Sequence, residues 1–151
     1  MEDGQAARRL SAAHRKKKMD MNESNKHFAS VAVDQLVAIC HGAASEAGWW
    51  HDRKTGEPTI NNPMCFSQKL MLIVSELAEA MEGDRKNLMD DKLPHRPMRE
   101  VELADALIRI FDTAGAYGMD LGGALVEKMA FNAQRADHKI ENRNAEGGKA
   151  Y

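Results

Sequence analysis

The segment from residue 67 to residue 82 constrains the fold most, because its sequence is apolar on almost every side of a helix. Between residues 70 and 81 the only charged residues are Glu76 and Glu79. A spacing of three places both of them on one helical face. A helix that is apolar all round is normally buried against other elements. The segment therefore predicts a buried helix, ending near Gly83, that carries two carboxylates.

Three further segments show the helical period of about 3.6 residues. Their predicted limits, set by capping residues, glycine and proline, are Ser24 or Asn25 to Gly48, Pro97 to Gly118, and Asp120 to about Lys139. No segment alternates with period two for long enough to be a convincing strand. Four helices of this length predict an all-α fold, a four-helix bundle.

Composition sets the expected organisation and compartment. A basic tail is predicted over residues 1–23, a helical domain over residues 24–142 and a second tail over residues 143–151. The net charge is only −2, so the basic run near residue 17 is interpreted as part of a solvated tail and nucleic acid is not an expected partner. Cys40 and Cys65 lack metal-binding spacing, and no signal segment or apolar run of about 20 residues is evident. These features predict a cytoplasmic protein without a membrane partner.

Glu102 and Asp105 repeat, on the third predicted helix, the spacing of Glu76 and Glu79. Buried carboxylates must pair with cations or bind metal. Two such pairs facing each other across a bundle surround one small volume. Oxygen ligands without histidine or cysteine favour Mg²⁺ or Mn²⁺ over zinc. The alternative is that these carboxylates face solvent or pair with lysine and arginine, and the spacing alone leaves both open.

Nearby charged residues have simpler interpretations. Arg109 lies between Asp105 and Asp112 along the sequence and is predicted to pair with either, which makes Asp112 part of a salt bridge. Glu82 is expected behind the ligands or at the surface. No glutamate is followed three residues later by histidine, so the signature of di-iron helical bundles is absent.

The fourth predicted helix carries a basic stripe, which consists of Lys128, Asn132, Arg135 and Lys139 at helical spacing. Such a face suits a polyanionic ligand, because lysine supplies a point charge and arginine a planar fork for phosphate oxygens. A solvated basic face near a helix C-terminus is the alternative.

Both tryptophans, Trp49 and Trp50, stand at the start of a loop over residues 49–65. A loop of that length in a compact domain is often functional. Each indole is predicted either to stack on a nucleobase or to seal the end of the bundle core, and the sequence leaves these interpretations open. His51 is a weaker candidate for the same pocket.

Three segments occur in a characteristic order: SELAEAMEG (75–83), EVELADALIRIFD (100–112) and the stretch 118–135. In this order they resemble the all-α NTP pyrophosphohydrolase superfamily, in particular its MazG-like branch, over about residues 28–139. In that family an EExxE helix and an ExxD helix bind magnesium, and a Lys…Asn…Arg/Lys helix binds the phosphates. Ser75 departs from the pattern, because the family often has its first glutamate there.

The resemblance assigns a role to each matching residue. Glu76, Glu79, Glu102 and Asp105 would hold Mg²⁺ or Mn²⁺; Lys128, Asn132 and Arg135 would bind the phosphates; Trp49 and Trp50 are the aromatic candidates for holding the base. Glu79 is the predicted general base. The resemblance also implies that a homodimer or homotetramer completes the bundle.

The activity implied by the resemblance is magnesium-dependent cleavage of a ribo- or deoxyribonucleoside triphosphate to the monophosphate and pyrophosphate. One rival is a phosphoribosyl-ATP pyrophosphohydrolase-like enzyme, whose usual Tyr-His pair after the second acidic motif is absent here. Another is a non-catalytic helical oligomerisation module, in which the acids serve solubility. The sequence does not specify the base, the sugar or the biological role.

Overall fold

The structure is a computed structural model that describes residues 22–148. Within this range regular structure is helical, apart from two isolated β-bridges, so the predicted all-α class is confirmed. The helices are α1 (Glu23–Glu46), α2 (Cys65–Lys86), α3 (Met98–Ala116), α4 (Leu121–Gln134) and the short α5 (Ile140–Arg143), with 3₁₀ turns at Thr59–Asn61 and Ala136–His138. The predicted basic tail lies outside the described residues, except for positions 22 and 23.

Helix α1 begins slightly earlier than predicted because Asn22 caps it. The Asn22 side-chain oxygen accepts a hydrogen bond of 2.9 Å from the Asn25 N–H, which satisfies one of the free amides of the first turn. Gly48 follows the helix with φ at +78°, in the left-handed region that glycine adopts without steric cost. The predicted stop at this glycine is confirmed to within two residues.

Helix α2 does not end at Gly83, so that prediction is wrong. The helix continues to Lys86, and Asn87 terminates it in the left-handed conformation with φ at 51°. Gly83 instead permits close packing, because a Cβ there would lie 2.9 Å from the Cβ of Met98. The glycine therefore brings α2 close to the start of α3.

Helix α4 begins as predicted but is shorter. The Asp120 carboxylate accepts a hydrogen bond of 2.9 Å from the Gly123 N–H. The helix ends at Gln134, and Arg135 has extended backbone with ψ at 131°. Extension to Lys139 is therefore wrong. Residues 135–139 offer only one alanine for burial, so packing does not support a further helical turn there.

Two compact units divide the chain. One is Ser30–Leu125, and the other contains the remaining described residues, 22–29 and 126–148. In the larger unit α2 packs along α3. Helix α1 approaches α3 closely where a Cβ on Gly115 would lie 2.5 Å from the Cβ of His41.

Few side chains in the described range are buried, and Trp50 is the one large hydrophobic side chain among those. The buried hydrophobic residues are Trp50, Cys65, Ala80, Ala106 and Ala114. The apolar residues of α2 are largely exposed instead: Leu70, Met71, Leu72, Val74, Leu77 and Met81. The prediction that neighbouring elements bury this helix all round is therefore wrong for a single chain.

Helix α1 has the length and hydropathy of a membrane-spanning helix. Its mean hydropathy is 1.3 over an 18-residue window, none of which is buried. Counting uninterrupted apolar residues missed this property, because the helix is broken by polar residues such as Asp34. A single helix of this kind is weak support for a membrane protein, since core helices of soluble proteins have the same composition.

Candidate metal centre

Helices α2 and α3 bring three of the four predicted carboxylates together. One ligand oxygen each from Glu76, Glu102 and Asp105 lies within 4.8 Å of the other two. Glu76 and Glu102 are 6 % and 7 % exposed, so most of this carboxylate cluster is shielded from water. The spacing of three between Glu102 and Asp105 places both on the side of α3 that faces Glu76. The cluster is therefore a pocket of oxygen ligands of the size that could hold a metal ion.

Glu79, the fourth predicted ligand, is exposed and lies outside this group of three. It is nevertheless close, because its charge contributes to raising the pKa of Glu102. Two residues three apart differ by about 60° around a helix axis, which is enough to turn one carboxylate inward and the other toward solvent. The structure thus separates Glu79 from the carboxylate cluster without removing it from the neighbourhood.

The electrostatics of the cluster are those of crowded acids. Burial, a side-chain hydrogen bond with Glu76 and the charges of Glu79, Glu76 and Asp105 raise the pKa of Glu102 to about 7. Burial and the charge of Glu76 also raise the pKa of Asp105, against the lowering effect of Arg109. A proton or a cation is therefore favoured among these carboxylates at neutral pH.

Arg109 is paired with the cluster itself. Its Nε donates a hydrogen bond of 2.6 Å to Oε1 of Glu76. The predicted ion pair of Arg109 with Asp105 or Asp112 is wrong, whereas the prediction that Asp112 is part of a salt bridge is confirmed, with Lys69 as its partner. Arg109 projects from α3 across to α2, and a partner on another helix could not be read from spacing along α3. Its side chain remains 42 % exposed.

Asp112 is the centre of a different arrangement, which we call the Asp112 hub and which consists of Asp112, Trp50, His41 and Lys69. The buried carboxylate accepts a hydrogen bond of 2.7 Å from the Trp50 indole N–H and lies 3.0 Å from Nδ1 of His41. The Lys69 ammonium is 3.8 Å from the carboxylate and 3.9 Å from the centre of the Trp50 ring. The hub ties α1, α2, α3 and the loop after α1 together.

A cavity of about 710 Å³ adjoins both arrangements. Among the residues that line it are Asp105 from the cluster, Arg109, which pairs with the cluster, Asp112 and Lys69 from the hub, and Trp49. Apolar side chains of α1, α2 and α3 complete its wall. The cavity therefore combines two carboxylates, two cations and an aromatic ring.

The two tryptophans occupy different environments. Trp50 is only 6 % exposed, and His41, Lys69 and Tyr117 already contact its ring. Trp49 is 70 % exposed and lines the cavity. Of the two, Trp49 has a ring surface open to a ligand.

The predicted basic stripe is not one continuous helical face. Lys128 and Asn132 lie on α4, whereas Arg135 follows its end and binds Asp137 with hydrogen bonds of 2.9 Å and 2.6 Å. Lys128 is exposed, with its ammonium 5.0 Å from the centre of the Phe131 ring. The side-chain oxygen of Asn132 is buried and has no hydrogen-bond donor among the described residues. These residues belong to the smaller unit.

Sequence reasoning missed Lys69 and the arrangement of the hub. Lys69 precedes Glu76 by seven residues, which places both on one face of α2. A single lysine on the Glu76 face of a largely apolar helix could have been predicted to lie near the carboxylates. The meeting of Trp50, His41 and Lys69 at Asp112 had no comparable sequence signal, because these partners come from three different elements.

Comparison of the chain with family models, with curated proteins and with solved structures finds no match.

Proposed function

We propose that the protein is a divalent-metal-dependent nucleoside triphosphate pyrophosphohydrolase, which releases a nucleoside monophosphate and pyrophosphate. The observation that carries this proposal is the carboxylate cluster, one of whose acids, Asp105, lines a cavity that is also lined by two cations and an exposed tryptophan. A nucleotide has the complementary parts: a polyphosphate that binds metal and cations, and a planar base.

The ligands of the cluster fit a hard divalent cation. Glu76, Glu102 and Asp105 offer oxygen only, which suits Mg²⁺ or Mn²⁺. Bound there, the ion would neutralise phosphate charge and activate a water for hydrolysis. Ser75 supplies no carboxylate at the position of the first acid of the MazG-like motif, and its hydroxyl donates a hydrogen bond of 2.8 Å to the Leu72 carbonyl oxygen. The proposed ligand set is therefore these three carboxylates, with Glu79 beside them.

The remaining site residues have roles that follow from their positions. Glu79 is exposed next to the cluster, so its carboxylate is available to take a proton from the attacking water. Lys69 supplies a cation at the cavity wall, and the phosphate-binding roles of Lys128, Asn132 and Arg135 remain part of the MazG-like proposal. Trp49 is the proposed stacking surface for the base.

A second copy of the chain is part of the proposal. Large apolar side chains are exposed on α1, α2 and α3. The exposed apolar surface is larger than a single small domain normally leaves in water. A partner that offers the same helical faces would bury them, as in a homodimer or homotetramer with a shared bundle core. Sedimentation equilibrium at micromolar concentration tests this directly, and a stable monomer would contradict it.

The activity is tested with a panel of ribo- and deoxyribonucleoside triphosphates, with and without Mg²⁺. Pyrophosphate is the expected product, and release of orthophosphate alone would refute the proposed bond cleavage. Glu102→Gln removes one carboxylate of the cluster, and Glu100→Gln is the matched control, because Glu100 is an exposed acid on the same helix. Equal activity in both variants would remove the cluster from catalysis, and the absence of product from every nucleotide with the wild-type protein would favour the non-catalytic oligomerisation module. Cleavage of phosphoribosyl-ATP alone would favour the histidine-pathway type of enzyme.

A further inference from the structure

A metal ion bound in the carboxylate cluster would compete with Arg109 for the Glu76 carboxylate. Its guanidinium contacts Glu76, whose carboxylate is one of the three proposed ligands, at 2.6 Å. Its charge also acts on Asp105, a second ligand. The metal-free cluster is thus partly neutralised by a cation of the chain itself.

A divalent ion and this guanidinium are poorly compatible at the same carboxylate. Metal coordination uses carboxylate lone pairs that the guanidinium also binds, and two positive charges at that separation repel each other. The Glu76 side chain is only 8 % exposed, whereas that of Arg109 is 42 % exposed. Arg109 is therefore the member of the pair with room to move.

The space open to Arg109 is the cavity. Arg109 lines the same cavity as Lys69, Trp49 and the proposed metal ligand Asp105. Lys69 is held by Asp112 and by the Trp50 ring, so it is a fixed cation. Among the described residues Arg109 forms its ion pair with Glu76, and it is the exchangeable cation of this wall.

We infer that Arg109 and the divalent metal exchange at Glu76: metal binding displaces the guanidinium from the carboxylate cluster, and the released side chain binds a phosphate group of the substrate in the cavity. This inference rests on the proposed metal-dependent function. It predicts that metal binds before substrate, because Arg109 becomes available to the phosphate only after the metal has replaced it at Glu76. An arginine fork suits the oxygens of a polyphosphate chain.

The exchange predicts effects of opposite sign for one substitution. Without an anion, Arg109→Gln removes a competitor for Glu76, so the full-length protein should bind Mn²⁺ about tenfold more tightly than wild type. With metal present, the same variant lacks a phosphate ligand, so it should bind pyrophosphate about tenfold more weakly. Arg109→Lys keeps the charge and should lie between wild type and Arg109→Gln in both measurements. A purely structural arginine would not give this crossed pattern.

Mn²⁺ binding is measured by electron paramagnetic resonance at about pH 8.5, above the pKa of about 7 of Glu102, so that protonation competes little with the metal. Pyrophosphate binding is measured by calorimetry with the magnesium complex. Arg99→Gln is the control, because Arg99 forms an ion pair with Asp84 and does not line the cavity; it should match wild type in both titrations.

Two results would overturn the exchange. If Arg109→Gln binds Mn²⁺ no more tightly than wild type while wild type does bind it, the metal site stands and the exchange is refuted. If neither protein binds Mn²⁺, the proposed metal-dependent function fails, and the exchange fails with it. Tighter Mn²⁺ binding with unchanged pyrophosphate affinity would refute the second half, in which the released arginine binds phosphate.

Discussion

The carboxylate cluster and the Asp112 hub share helices α2 and α3, and both contain a buried acid. In the cluster, Glu76 has two further acids beside it and an arginine partner whose side chain is 42 % exposed. In the hub, Asp112 has no acidic partner among its contacts and is held by an indole N–H, an imidazole and an ammonium. Burial of a carboxylate is therefore compatible with two opposite situations. Its neighbours decide whether the charge is already balanced or is available to a ligand.

The largest expected effect concerns the hub. Asp112→Ala should lower the free energy of unfolding by about 3–5 kcal/mol, because it leaves a buried indole N–H and the Lys69 ammonium without their partner. Asp112→Asn keeps an acceptor for the indole and should cost less. Urea unfolding measures both variants. Asp91→Ala is the control, since Asp91 is exposed and pairs only with its neighbour Lys92 in this structure, and it should change stability by less than about 0.5 kcal/mol. Equal stability of the Asp112 and Asp91 variants would remove the structural role of the hub.

The contribution of the cluster to the free energy of unfolding should fall as pH rises, whereas that of an ordinary salt-bridged carboxylate rises with pH. In the folded, metal-free protein the pKa of Glu102 is about 7, against an ordinary value of 4.5. Between these values the folded state binds more protons than the unfolded state, so stability falls as pH rises from about 5 to 8. The contribution is up to about 3 kcal/mol, and added Mg²⁺ should restore it at the upper end.

Thermal unfolding in a chelator across this pH range checks the sign. Glu102→Gln should flatten the dependence, whereas Glu100→Gln should retain it. A wild-type protein that grows more stable between pH 5 and pH 8 without metal would show that Glu102 is not buried among acids as described.

Two aspartates seven residues apart on α3 allow a direct comparison of metal binding. Asp105→Asn should weaken Mn²⁺ binding by about tenfold to a hundredfold, because it replaces one ligand of the cluster. Asp112→Asn should leave Mn²⁺ affinity within about twofold, provided the variant remains folded. Calorimetric titration of both variants measures the difference. Similar losses would mean that metal affinity depends on the hub as much as on the cluster.

The contrast also explains which parts of the site the sequence could predict. Glu76, Glu102 and Asp105 were found from spacings of three inside strongly helical segments, where local geometry fixes the direction of a side chain. The same rule placed Glu79 with them, but a rotation of about 60° around the axis leaves it exposed. The all-α class followed from periodicity for the same local reason.

Features that depend on a second element were beyond reach of this reasoning. The Arg109–Glu76 pair joins two helices, and the partners of Asp112 come from three elements. Gly83 was read as a stop, whereas it serves the packing of α2 against Met98. The basic stripe required α4 to continue past Gln134, and spacings that long are valid only while the helix lasts. Local rules thus predicted positions, and tertiary contacts determined partners.

The two tryptophans give the smallest and sharpest test, because one belongs to the cavity and the other to the hub. Trp49→Ala should raise KM for a nucleoside triphosphate by about tenfold, the loss of one stacked base, with little change in stability, since the ring is 70 % exposed. Trp50→Phe should lower the free energy of unfolding by about 1–3 kcal/mol, because it leaves Asp112 without its indole donor, and should change KM little. Steady-state kinetics and urea unfolding of both variants resolve the pair. If Trp50→Phe raised KM as much as Trp49→Ala without loss of stability, the enclosed ring of Trp50 would be the one that binds the base. The assignment of Trp49 to substrate binding and of Trp50 to the stability of the hub would then be wrong.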